Sequence, residues 1–161
     1  MSAFSDLPTE EDFKQFPFLF EPTGREEQPL QFVSLDIGKG WYTLVYTLCG
    51  AIKEYLGTVR DEDFVKNFYA IRIKQKFGGL RFYVSRSDKV IYNMVREAEE
   101  ASWEMCEECG RFGVPRPLSY IETLCQKHYF RVVWEIGRNV PFGKWLWLLW
   151  DAITNKNGGR Q

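Results

Sequence analysis

Four residues in the last third of the chain constrain its fold more than anything else in it: Cys106, Cys109, Cys125 and His128. Cys106-Glu107-Glu108-Cys109-Gly110 sets two thiols on a tight turn, and Gly110 lets the backbone curl so that both face inward. Cys125-Gln126-Lys127-His128 adds a pair three positions apart, which share one side on the first turn of a helix. Two ligands from a knuckle and two from a helix start complete a tetrahedron around zinc, which accepts both thiolate and imidazole. The alternatives are four unrelated residues, or thiols poised for disulfides. Against both stands the paired spacing, and His128 is the only histidine in the chain and falls where a fourth ligand is needed. Four protein ligands leave no open position, so one structural zinc ion is expected rather than a catalytic one. Three thiolates outweigh the ion's charge, and Lys127 and Arg111 are the candidates to offset the excess.

A knuckle, then strands or loop, then a helix carrying the second pair resembles the treble-clef zinc finger. The histidine-metal nucleases share that layout but need further histidines, and this chain has none to spare.

At 161 residues the chain fits one domain with a genuine core, and 45% hydrophobic against 27% charged residues is globular composition, not disorder. Aromatics reach 17%, with six Trp and thirteen Phe, enough for a dense core or for an anchor surface toward a partner. A net charge of −1 gives no global attraction to nucleic acid, so any such binding needs a local basic face. The N-terminal residues lack a basic-then-apolar signal layout, and no apolar run is long enough to span a bilayer. A cytoplasmic location follows as the expectation, with cysteines as thiols or metal ligands.

Residues 1–29, with Pro8, Pro17, Pro22 and Gly24, read as an irregular arm whose Phe16, Phe18, Leu19 and Phe20 dock on the body. Residues 30–137 read as an α+β zinc-binding domain. It begins with a short strand over 30–35 and a turn at Asp36-Ile37-Gly38-Lys39-Gly40. Apolar positions Trp41, Leu44, Val45, Leu48, Cys49, Ile52 and Leu56 mark an amphipathic helix ending near Gly57. Asp61-Glu62-Asp63 reads as loop or helix start. Strands over 68–76, where Tyr69, Ile71 and Ile73 alternate with Arg72, Lys74 and Lys76, and over 80–85 flank Phe77-Gly78-Gly79, a hairpin turn. Ser87 or Asp88 caps a helix to about Met105, with Ile91, Met94, Val95, Ala98 and Ser102 inward and Arg96, Glu97, Glu99 and Glu100 outward. A further helix starts near Thr123, where Thr123 and Gln126 fit a capping box, and runs to Gly137. Residues 138–161 read as a Trp-rich helix over 142–153 and a polar tail. The fold class is therefore α+β: a small antiparallel sheet, packed helices and a treble-clef-like zinc site.

Arg72, Lys74 and Lys76 share a strand face near Arg81, Arg86 and Lys89, with Tyr69, Phe77, Phe82 and Tyr83 interleaved. Such a hairpin suits a phosphate backbone and stacked bases, or is a solvated face whose charges discourage edge pairing. Trp145, Trp147 and Trp150 make the last helix apolar nearly all round, which suits deep packing, a partner anchor or membrane-surface docking. Gly38-Lys39-Gly40 lacks the glycine spacing and the Ser/Thr of a phosphate loop and reads as a turn. Cys49 reads as a buried thiol. No acid, base or nucleophile set of the kind an active site requires is legible, since the sole imidazole is on the metal.

Five segments in order carry a resemblance: Gly38-Lys39-Gly40-Trp41-Tyr42-Thr43-Leu44-Val45; Lys74-Gln75-Lys76-Phe77-Gly78-Gly79-Leu80-Arg81-Phe82-Tyr83-Val84; the helix 91–102; Cys106-Glu107-Glu108-Cys109-Gly110; and Thr123-Leu124-Cys125-Gln126-Lys127-His128. Together they resemble a family of small uncharacterised bacterial and prophage proteins, over about residues 30–130. The resemblance implies a bacterial host cell and an accessory role, directed against host defence. The expected function is a non-enzymatic, zinc-stabilised interaction protein that binds a host protein through Trp145, Trp147 and Trp150 or the aromatic hairpin. The alternative is a nucleic-acid binder using Arg72, Lys74, Lys76 and Arg81, and a lesser one is an enzyme of unassigned class.

Overall fold

The computed structural model describes residues 7–21, 31–137, 146, 149–150 and 153–154. The N-terminal arm is folded where it is described. Helix α1 (Glu10–Phe13) and a 3₁₀ turn at Pro17–Leu19 carry Phe13, Phe16, Phe18 and Leu19 into the main core. Strand β1 (Phe20–Glu21) pairs antiparallel with β2 (Gln31–Phe32), and the Phe20 and Phe32 rings meet edge to face at 5.4 Å. The single strand expected over 30–35 is in fact two. Val33 is buried and donates its amide to Leu19 O at 2.8 Å, and β3 (Leu35–Asp36) then enters a different sheet.

Helix α2 (Tyr42–Leu56) buries Tyr42, Val45, Leu48, Cys49 and Ile52, the stripe its spacing requires. Burial pushes the Cys49 thiol far above its ordinary range, which keeps it protonated and inert. The acidic run resolves as the start of α3 (Glu62–Lys66), where the Asp61 carboxylate accepts from the Phe64 amide at 3.0 Å and acids favour the positive helix end.

Strands β4 (Ala70–Lys76) and β5 (Gly79–Val84) form the expected hairpin. Its turn places Phe77 at φ 56 and Gly78 at φ 88, the two left-handed positions of a primed turn. Glycine accepts that backbone freely; Phe77 holds it at a cost of roughly 1–2 kcal/mol while its ring stands in solvent. β3 lies parallel to β4, so the three-stranded sheet is mixed rather than wholly antiparallel. Tyr69, Ile71 and Ile73 do not alternate inward as expected. A register shift between Ala70 and Arg72 leaves Ala70 and Ile73 buried and turns Ile71 outward, because a bulge breaks the period of two.

Helix α4 (Lys89–Ser102) starts at Asp88, whose carboxylate accepts from the Val90 and Ile91 amides, both at 2.9 Å. Ile91, Ala98 and Ser102 are buried, and Met94 and Val95 are partly so. Glu99, expected outside, instead serves the sheet. β5 is an edge strand, and its Phe82 and Leu80 amides donate to Glu99 Oε1 at 3.1 Å and Ser102 Oγ at 2.8 Å. Side chains of α4 thus cap an edge that would otherwise be open.

Strands β6 (Val114–Arg116) and β7 (Glu122–Leu124) pair antiparallel, and α5 (Gln126–Gly137) follows. This corrects the helix start at Thr123. Thr123 belongs to β7, is fully buried, and sends its hydroxyl to Gly78 O at 2.6 Å, so it caps no helix. Of the expected helix over 142–153, Leu146, Leu149, Trp150 and Ile153 are helical; Trp145 and Trp147 lie outside the described residues, as does the tail from 155. Among the described residues no helix is long and apolar enough to cross a membrane.

Candidate metal centre

Knuckle, β6–β7 hairpin and α5 succeed one another as the treble-clef layout requires, and together they focus four donors on one point. The knuckle closes on Cys106 O, which accepts from the Cys109 amide at 3.3 Å and the Gly110 amide at 2.8 Å. Gly110 sits at φ 71, a conformation that side chains resist. Cys125 lies between β7 and α5 and His128 on the first turn of α5, where Tyr129 N donates to Cys125 O at 2.9 Å. The donor atoms of Cys106, Cys109, Cys125 and His128 all lie within 4.8 Å of one another, a group that can hold a metal ion. His128 Nδ1 stands 3.3 Å from Cys106 Sγ and 3.4 Å from Cys125 Sγ, and the Sγ atoms of Cys109 and Cys125 are 3.8 Å apart. That last separation is far beyond a disulfide bond of about 2.05 Å.

Cys106 is fully buried and the other three are partly exposed. Burial pushes the Cys106 thiol up to about 12, so a thiolate there calls for a nearby positive charge. Desolvation also opposes a thiolate at Cys125. The His128 and Lys127 amides and the neighbouring thiols outweigh it and hold that group below its ordinary value. His128 is lowered, by burial first and by Arg131 next, which favours the neutral imidazole a metal requires. Lys127 and Arg111 lower it as well, and Arg131 pairs with Glu108 at 2.9 Å.

Two glycine motifs from the first half of the chain dock on this unit. Gly40 N donates to Glu107 O at 2.8 Å and Gly38 N to Glu107 Oε1 at 3.0 Å. A Cβ at Gly40 would lie 2.3 Å from Cys106 O and 2.5 Å from Cys109 N, and one at Gly38 would lie 2.3 Å from Glu107 O. The Trp41 indole, wholly buried, donates to Met105 O at 2.7 Å. Gly38-Lys39-Gly40 is therefore a contact surface for the knuckle, and its glycines serve close approach. The second motif is the β4–β5 turn. Gly78 O receives the Thr123 hydroxyl, Gln75 Nε2 donates to Ile121 O at 2.6 Å, and a Cβ at Gly79 would meet Trp103 at 2.7 Å. Glu107 is mostly buried beside Glu108 and Glu122 in a cavity of about 330 Å³. Burial, partly opposed by the Gly38 amide and aided by the two neighbouring acids, pushes its carboxyl up to about 7.

The other predicted residues divide. Arg72, Lys74 and Lys76 share the outer face of the sheet: Arg72 is 3.6 Å from Asp36, Lys74 Nζ lies 5.8 Å from the Tyr83 ring, and Lys76 Nζ lies 5.4 Å from the Phe77 ring. Arg81 departs from them toward α4, with Glu99 at 3.9 Å and the Trp103 ring at 5.9 Å. Trp150 is 64% exposed, whereas its neighbour Leu149 packs on the metal-side cluster of Cys106, Leu124, Tyr129 and Val133. No family model, curated protein or solved structure matches the chain.

Proposed function

We propose that the chain is a zinc-stabilised interaction protein without enzymatic chemistry. Zinc is supported by the donor set and its spacing. Bonds of about 2.3 Å to sulfur and 2.0–2.1 Å to nitrogen set the donors of a regular tetrahedron about 3.6–3.8 Å apart. The separations of 3.3, 3.4 and 3.8 Å lie close to that. A structural role follows from saturation: four protein donors leave no site for water or substrate, and no second imidazole exists.

The observation that carries the interaction reading is a bare apolar stripe. Leu146, Trp150 and Ile153 are all exposed at helical spacings of four and three, while Leu149 alone of the described residues there turns inward. Tryptophan is among the residues most enriched at the hot spots of protein interfaces. The resemblance to bacterial and prophage proteins supplies the setting, an accessory factor acting on a host protein.

The test combines elemental analysis with capture. Protein purified without chelator should carry one zinc per chain, and it should retain a bacterial lysate protein that Trp150→Ala, still folded and zinc-loaded, loses. Capture of the same protein by that variant would refute the anchor. A folded, metal-free chain would refute the zinc.

A further inference from the structure

The outer face of the β4–β5 sheet is unused by the metal centre and by the C-terminal stripe. On it Lys74 and Lys76 have no carboxylate within ion-pair reach among the described residues, and each ammonium instead lies near an exposed ring, Tyr83 (41% exposed) or Phe77 (63%). Residues two apart on one strand face recur about every 6.6 Å, a step comparable to one nucleotide of an extended strand. Tyr83 also lines a cleft of about 260 Å³ between β5 and α4, together with Ser87, Tyr92, Val95 and Arg96. Tyr92 is 60% exposed. The one acid at this cleft, Glu99, is engaged by the Phe82 amide and Arg81.

We propose that this face binds single-stranded nucleic acid, with a base between Tyr83 and Tyr92 in the cleft and the backbone phosphates running over Lys74 and Lys76. The proposal goes beyond the interaction reading and rests on different residues. Cations alternating with accessible rings are what sequence-tolerant strand binding requires, because every base has a stacking face and every nucleotide a phosphate. The cleft has room for one planar base. Duplex bases are already stacked on each other and cannot enter it, so the ligand is single-stranded. An overall net charge of −1 adds no background attraction, so the affinity must come from this local face.

The experiment is fluorescence anisotropy of a labelled oligothymidylate with the full zinc-loaded chain across a salt series. Binding should weaken with salt, and Lys74→Gln with Lys76→Gln should flatten the log–log slope by about 1.4, two contacts at roughly 0.7 each for a single strand. Tyr83→Ala and Tyr92→Ala should each weaken binding about fivefold or more without changing the slope, and Tyr83→Phe should restore it. Lys76, Tyr83 and Tyr92 are exposed and Lys74 is half-buried, so the variants should fold, which thermal melts verify. Trp150→Ala should bind the oligonucleotide normally, which separates this site from the protein anchor. The proposal is overturned by no binding at low salt, by equal affinity for the matching duplex, or by equal displacement with polyglutamate, which would mark a docking face for an acidic protein.

Discussion

Gly40→Ala is the sharpest test of the way the metal unit is held. The new methyl would lie 2.3 Å from Cys106 O, 2.5 Å from Cys109 N and 2.5 Å from Gly110 N. All three are backbone atoms of the knuckle, so no side chain can swing aside. Carbon and oxygen normally approach to about 3.3 Å or more, so about an ångström of overlap must be relieved by moving the glycine loop off the knuckle. Overpacking of this kind costs about 1–3 kcal/mol. Displacement also strains the Gly40 N to Glu107 O hydrogen bond, worth about 1 kcal/mol. A loss of about 3 kcal/mol follows, and for a domain of this size each kcal/mol is about 2–4 °C, so Tm should fall by about 6–12 °C. The control is Gly50→Ala in α2, where a Cβ meets nothing within 4 Å and alanine favours the helix by about 0.5–1 kcal/mol. Melting followed by circular dichroism, with zinc content measured in parallel, should show the two variants moving in opposite directions. A Gly40→Ala chain that melts with the wild type and keeps its metal would refute the close packing.

Stripping the metal with a chelator should unfold the C-terminal unit selectively, because its buried apolar residues among those described are few: Cys106, Val114, Leu124, Tyr129 and Val133. Hydrogen exchange should then rise over 104–137 and stay slow in α2, β4 and β5; unchanged protection of α5 would contradict a structural ion. At Asp88, desolvation works upward, but the Tyr55 hydroxyl and the Ile91 and Val90 amides outweigh it and hold the carboxyl below its ordinary 3.8. A lowered acid stabilises the fold above the unfolded value and loses that effect as pH falls through the folded one. Asp88→Ala should therefore cost about 1 kcal/mol at neutral pH, with the gap to wild type closing below about pH 4, whereas Asp88→Asn should keep most of the cap. Denaturant melts across pH will show whether the gap closes.

The clustering of Cys106, Cys109, Cys125 and His128 was legible because coordination chemistry fixes both residue type and spacing, so the set stands out without any tertiary knowledge. Helices α2 and α4 were legible for a similar reason, since burying one face imposes a period. What failed depended on partners distant in sequence. Thr123 fits a capping box locally, yet its hydroxyl belongs to Gly78, 45 residues away. Gly38 and Gly40 look like turn residues, and only the knuckle packed against them reveals why no side chain is present. Ile71 matched the strand period, but a bulge reversed it. Arg81 matched a basic face, but Glu99 draws it to the sheet edge. The short parallel pairing of β3 with β4 had no signal in two residues.

The span between the glycine loop and the knuckle, 69 residues from Gly38 to Glu107, also sets a timetable for the nascent chain. At roughly 5–20 residues per second, a ribosome delivers the loop about 3–14 s before the turn it must meet. Helix α2 and the β4–β5 hairpin emerge in that interval and can assemble on each other. On the zinc reading proposed above, metal loading would close that sequence, and the supply of the ion at that moment would set how many newly made copies reach their finished form.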